Sequence, residues 1–180
     1  MTELERELGQ LLEAAAGKSE AERRQAVLEA LSATIAKAFA LRPDELAILM
    51  VNPDRSMLRF VYPPNLADGG NLFPLSVPSL AGRVAQTGRS VLLNTAQDVS
   101  HLGFYERIRI KEAKPRRIQK LLAVGVKGPE EKIRAVIEVS RRGDRPAEAG
   151  PDFRPEDQQL LERLAAAAGP AVAAAFAWKP

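Results

Sequence analysis

The chain has 180 residues, 46% hydrophobic and 27% charged, a globular balance that excludes a disordered or collagen-like polypeptide. It contains no cysteine, which removes disulfides, thiolate metal sites, cysteine nucleophiles and thioether-linked chromophores; its single histidine, His101, removes any site that needs two. A formal net charge of +3 is small for a dedicated nucleic-acid binder, whose basic footprint is normally larger and spread along a face.

A chain of this length forms one domain and buries roughly 70% of the surface exposed when unfolded. The first ten residues hold glutamates and no apolar run, so no signal peptide is expected. The uncharged stretch Leu164–Trp178 is mostly alanine and shorter than the about twenty apolar residues of a membrane span. The expectation is a cytoplasmic protein without a membrane partner.

In chain order, Leu4, Leu8, Leu11 and Ala15 recur at helical steps behind a capping box of Thr2 and Glu5, and Gly17 ends that helix. Ser19 and Glu22 open a second helix that carries Val27, Leu28, Leu31, Ile35 and Phe39 on one face, to about Ala40. Residues 1–18 read as a helical extension and 19–180 as the main domain. Leu46–Val51 is apolar on both faces, as a strand covered on two sides is. Asn52–Ser56 has turn chemistry, Met57–Tyr62 is the partner strand, and Pro63 and Pro64 stop it. Asp68-Gly69-Gly70-Asn71 marks an exposed loop. Ser79 caps a short helix through Gln86 ended by Gly88, and Ser90–Asn94 is a short strand. Residues 95–119 read as a loop with one helix around Phe104–Ile110. Leu121–Val126 is a second fully apolar strand, and in the strand beginning at Ile133 one face is buried while Arg134, Val136, Glu138 and Ser140 occupy a partly wet one. Pro155 starts a final helix lined by Leu160, Leu161, Leu164, Ala168 and Val172, with a bend at Gly169-Pro170. This order gives an α+β fold: a central antiparallel sheet with helices covering it.

The segment Ser79-Leu80-Ala81-Gly82-Arg83-Val84-Ala85-Gln86-Thr87-Gly88-Arg89-Ser90-Val91-Leu92-Leu93-Asn94 resembles the central signature of GAF domains. The likeness continues through Lys120–Val124 and Ala135–Arg141, where Ala135 stands in place of the usual glycine, and closes with Phe153–Leu161. It spans about residues 20–178. The resemblance implies a PAS-related fold with helices on both sheet faces and the terminal helices packed together on the face opposite the pocket. A PAS-like domain is the alternative. Gly82 is expected to let its helix approach the sheet closely.

Cyclic-nucleotide-binding members of the family carry Asn-Lys and later a Phe followed by Asp-Glu. The corresponding residues are Ser140, Arg141, Phe153, Asp157 and Gln158. Only Phe and Asp match, so cyclic-nucleotide binding is expected to be weak or absent. Bilin attachment and free methionine sulfoxide reduction in the family use cysteine, which is missing.

The pocket implied by the resemblance lies between the sheet and residues 79–120. Phe104 and Tyr105 offer a stacking surface there or else close the core. Arg107, with Arg109, Lys111, Lys114, Arg116, Arg117 and Lys120, forms a segment whose seven cations face two acids. It clamps an anion or simply keeps a loop solvated; no glycine-rich phosphate cradle lies beside it. His101 is a loop histidine or a pH-sensitive contact. The candidate ligand contacts are therefore Phe104, Tyr105, Arg107, His101 and Lys120. No catalytic constellation, metal site or cofactor is expected, and the protein reads as non-catalytic. Two functions stay open: a sensory or regulatory module binding a small molecule or protein partner, and a ligand-free dimerisation or scaffold domain. A basic-patch nucleic-acid binder is a third reading of less weight. No output-domain pattern follows, so a signal leaves through another protein or the chain is a fragment. Homodimerisation is expected through the terminal helices, with Leu4, Leu8, Leu11 and Ala15 as one stripe, an alanine-rich final helix as its match, and Val172, Phe176 and Trp178 as anchors.

Overall fold

The computed structural model describes residues 2–68, 72–95 and 116–176. Two helices, α1 (Glu3–Ala16) and α2 (Glu20–Phe39), precede strands β1 (Leu46–Val51) and β2 (Met57–Tyr62). A short helix α3 (Pro64–Ala67), strand β3 (Leu72–Pro74), helix α4 (Leu80–Thr87) and strand β4 (Val91–Leu93) follow. The hairpin β5 (Ile118–Lys127) and β6 (Ile133–Arg142), then a 3-10 turn at Pro146–Glu148 and the long helix α5 (Pro155–Ala175), complete the described elements. The expected helix at Phe104–Ile110 lies outside the described residues.

The strands form one sheet in the order β3-β2-β1-β6-β5-β4, with every neighbouring pair antiparallel. Strand alternation divides the core in two. Leu46, Ile48 and Met50 of β1, Leu122, Val124 and Val126 of β5, and Ala135, Ile137 and Val139 of β6 pack against α1, α2 and α5. Ala47, Leu49 and Val51, Leu121 and Ala123, and Val136 face the other way, toward α3, α4 and β3. Helices thus cover both faces, as expected for an α+β sheet of this kind.

Both capping boxes form: Glu5 N donates to Thr2 Oγ1 while Thr2 N donates to Glu5 Oε2, and Ser19 pairs with Glu22 in the same manner. Gly88 has φ +68°, the left-handed geometry that ends α4. Gly82 serves a different neighbour from the expected one: a Cβ there would crowd Ser79 Oγ and the Leu75 and Val77 carbonyls, so the close approach is to the loop before α4. At Gly169 a Cβ would overlap the Lys127 carbonyl oxygen, so glycine lets α5 seat directly on β5. The helix assignment continues through Pro170 to Ala175.

Three expectations change. Pro64 does not merely stop β2; it takes the first-turn position of α3, where its missing N–H costs nothing. Strands β5 and β6 run beyond Leu121–Val126 and Ile133–Ser140, because the polar ends Gln119, Lys120, Arg141 and Arg142 find partners. Most consequentially, α1 belongs to the core of its own chain. Leu8, Leu12 and Ala15 are buried against α2 and α5, Leu11 is 52% exposed, and Glu5 Oε1 accepts a 2.6 Å bond from Arg163 Nε of α5. The stripe therefore runs through Leu12, not Leu11, and is not spare.

Replacing Leu8 with alanine should lower stability by about 2–5 kcal/mol, because it empties a fully buried site. Leu11→Ala should change stability by under about 0.5 kcal/mol, both variants being compared with the unmodified chain by urea titration.

Candidate functional site

Strand β6 lies between β1 and β5, so both of its faces meet protein. Its outward set, expected to be partly wet, is instead buried: Val136 is wholly enclosed, Glu138 is 2% exposed and Ser140 is 4% exposed. Glu138 shares the α4 face with Val136. Directly across from it stand Ala47 on β1 and Ala123 on β5. Opposed residues on one face have Cβ atoms about 5 Å apart, and an alanine ends there, so neither neighbour supplies a donor. Neither carboxylate oxygen of Glu138 has a hydrogen-bond partner among the described residues. Burial holds the carboxyl proton on until about pH 8, with the charge of Arg142 pulling weakly the other way.

A second buried acid, Glu45, is fully engaged and shows what the fold does with a structural carboxylate. Its Oε1 accepts from Arg42 Nη2 at 2.6 Å and from the Arg142 amide at 2.9 Å, while its Oε2 accepts from the Arg42 amide at 3.0 Å. The Ser140 amide donates to the Glu45 carbonyl at 2.7 Å, locking the entry of β1 to the end of β6. Glu138 has no such set.

The five positions aligned with the cyclic-nucleotide motif are tied into the frame. Ser140 bonds Glu45, and the Arg141 guanidinium lies 5.3 Å over the Phe153 ring, which also meets Phe39 edge-on. Asn94 clasps the Phe153 backbone from both sides, donating to its carbonyl at 2.9 Å and accepting from its amide at 2.8 Å. Asp157 accepts from the Arg154 amide at 2.7 Å to cap α5, and Gln158 donates to Glu162. Lys120, a candidate ligand contact, lies on the opposite face from α4. It donates to the Gly150 carbonyl at 2.6 Å and pairs with Asp152 at 2.7 Å, which removes it from the expected pocket. His101, Phe104, Tyr105 and Arg107 lie outside the described residues.

A concavity of about 530 Å³ beside α4 is lined by Leu75, Pro78, Arg83, Gln86, Val91 and Leu93, within the region expected to hold the pocket. Glu138 is not on its lining. A wider groove of about 650 Å³ lies elsewhere, between α2 and β2, with Leu28, Arg59, Tyr62 and Phe176 on its walls. Sequence reasoning missed Glu138, although the signal was present: a strand placed between two strands apolar on both faces has no wet side.

Because Glu138 keeps its proton in the fold well above the pH at which the unfolded chain loses it, its contribution to stability is best at low pH. It declines as pH rises toward about 8. Glu5, Glu22, Asp54 and Glu130 act in the opposite sense, since hydrogen bonds from Thr2, Ser19, Ser56 and Lys132 lower their carboxyls; their stabilisation fades only in acid. Between pH 5.5 and 8 the protein should lose stability by roughly 1 kcal/mol per pH unit from Glu138 alone. Glu138→Gln should flatten that slope in urea melts; an unchanged slope contradicts the assignment.

The model of the GAF domain family matches residues 23–172. Among solved structures, the GAF domain of an Acinetobacter phosphoenolpyruvate-protein phosphotransferase superposes with a TM-score of 0.67 at 19% identity, over 100% of this chain and 99% of that one. The corresponding domain of the Coxiella burnetii phosphoenolpyruvate-protein phosphotransferase gives 0.66 at 13% identity, over 97% and 90%. Free methionine-R-sulfoxide reductase from Neisseria meningitidis, solved with its substrate, gives 0.61 at 14% identity, over 96% and 89%. No curated protein matches the chain. At these identities the structures establish the shared fold, and the match over residues 23–172 establishes that the chain belongs to the GAF domain family.

Proposed function

We propose that the protein is a non-catalytic sensory or regulatory module that binds a small molecule on the α4 face of its sheet and passes the change to the helices behind it. GAF domains are commonly regulatory or sensory parts of signalling proteins. The observation that carries the reading is the construction of β6. One face presents Glu138, and the other presents Ile137 and Val139 to the α1–α2–α5 layer. A shift of this strand is felt directly by the helices, since close-packed interiors transmit displacement. The absence of cysteine from the sequence supports a non-catalytic role relative to the family's cysteine-dependent reductases. No helix among the described residues is long and apolar enough to cross a membrane, and a cytoplasmic setting accords with the reading. The alternative is a scaffold of the same fold with no ligand.

Native mass spectrometry of the purified protein should show a small molecule co-purifying with the chain; the bare chain mass throughout would favour the scaffold. Calorimetry with cyclic AMP and cyclic GMP should show no micromolar binding, because Ser140, Arg141, Phe153, Asp157 and Gln158 are occupied with structural contacts. Micromolar affinity for either nucleotide overturns that expectation.

We also propose a homodimer through the outer surfaces of α1 and α5. Val172 is buried within its own chain, and Trp178 lies outside the described residues. The surface that supports the dimer is therefore exposed Leu11 with exposed Ala166, Ala167 and Ala174. Light scattering at micromolar concentration should give twice the chain mass, and Leu11→Glu should return it to one; a single-chain mass for the unmodified protein removes the dimer.

A further inference from the structure

We infer that Glu138 is the recognition group of the ligand site and that the ligand carries an ammonium or guanidinium group. The inference rests on the small-molecule reading above and narrows it to one class of ligand.

A carboxylate enclosed by protein is costly unless donors replace the water it has lost. At Glu45 the fold supplies three such donors. At Glu138 it supplies none among the described residues, and the two side chains placed to do so are alanines. For the sheet alone, leucine would serve better at this position. Ala47 and Ala123 also leave the space above their Cβ atoms unfilled by their own side chains. A buried acceptor between two small residues fits a donor that comes from outside the chain.

The charged groups around it favour a cation. On its own strand, Arg142 is four residues further along the same face, beyond Ser140, and its Nη1 donates to the Arg116 carbonyl at 3.2 Å. On the approach to β1, Glu45 is engaged by Arg42 and the Arg142 amide. Strand β5 turns Ile118, Leu121 and Ala123 to this face, none of which titrates. Helix α4 turns Ala81, Val84 and Ala85 inward, while Arg83 is exposed. Arg55, where α4 ends, is bonded to the Ala85 and Ile133 carbonyls. A carboxylate has two acceptor oxygens and no donor, so an ammonium or guanidinium satisfies it and neutralises its charge at once. An anionic ligand would leave one oxygen unpaired. Binding releases one proton: the Glu138 carboxylic acid and the ligand cation become a carboxylate–cation pair, and the proton goes to solvent. Since burial keeps that proton in place up to about pH 8, binding strengthens as pH rises toward this value.

The test is a proton–nitrogen correlation titration of the full chain with butylammonium, butylguanidinium, butanol and butyrate at pH 6.5 and 8.5; both cations remain charged across this range. At least one cation should shift the amides of Ala47, Ala123 and Glu138 saturably, with a dissociation constant roughly 25-fold lower at pH 8.5. Butanol and butyrate should not. Glu138→Gln should abolish the response while keeping a dispersed spectrum. Ala123→Leu, which adds bulk directly across from Glu138 without touching the charge, should abolish it too and covers the case in which the first variant does not fold. A cation response that persists in Glu138→Gln, or one matched by butanol or butyrate, overturns the inference and leaves the small-molecule reading standing. No response to any of the four probes overturns the inference. If native mass spectrometry also finds no bound molecule, the small-molecule reading falls with it.

Discussion

Strand β6 is hydrogen-bonded on one side to β1 and on the other to β5, and helices lie over both of its faces. That double enclosure is the condition from which the rest of the molecule follows. A strand with no wet face has to be apolar on both, and β1, β5 and most of β6 obey. The helical layer exists because one of those faces needs a cover about as wide as three strands. Helix α1 packs beside α2 and α5 and completes the core on that side. A glycine at the α5–β5 contact and alanines along α5 then set how closely that layer can settle.

Much of this was legible from residue order. The two capping boxes, the turn chemistry of Asn52–Ser56 and the all-apolar runs at Leu46–Val51 and Leu121–Val126 are local signals, and local geometry answered them. The failures share a cause. Leu11 and Leu12 both fit a helical stripe, and only the angle at which α1 meets α2 and α5 decides between them. Lys120 sits in a basic segment, but strand alternation points it to Asp152 and Gly150, away from α4. Glu138 lies in an alternating pattern that suits a half-exposed strand. Its burial follows only when that strand is placed in the middle of the sheet. Register and neighbours decided each case, and these are tertiary properties.

The family signature behaves in the same way. Asn94 at the end of β4 holds the backbone of Phe153 at the entry to α5, 59 residues later. Arg141 covers the ring of that same Phe153, and Asp157 caps the helix Phe153 introduces. These residues bind the last helix to the sheet edge, so a sequence carrying them announces an architecture and leaves the ligand unspecified. The cyclic-nucleotide positions are a subset of this frame. Substituting them therefore disturbs the clasp as well as any ligand chemistry, and their loss of the nucleotide-binding pattern does not leave them idle.

What remains for specificity is the part of the α4 face that the frame does not need. Most positions there are spent on packing: Val136, Leu49 and Ala85 contribute apolar area and nothing a polar ligand would recognise. Glu138 is the exception, since its charge opposes burial and neither alanine across from it offers a donor. A structural acid in this fold looks like Glu45, saturated by an arginine and backbone amides. The contrast between two buried glutamates at neighbouring points of one sheet separates a residue that maintains the frame from one whose partner is still to be supplied. Because Glu138 shares a strand with Ile137 and Val139, the proposed ligand would change the charge state of a residue whose immediate neighbours support the helical layer.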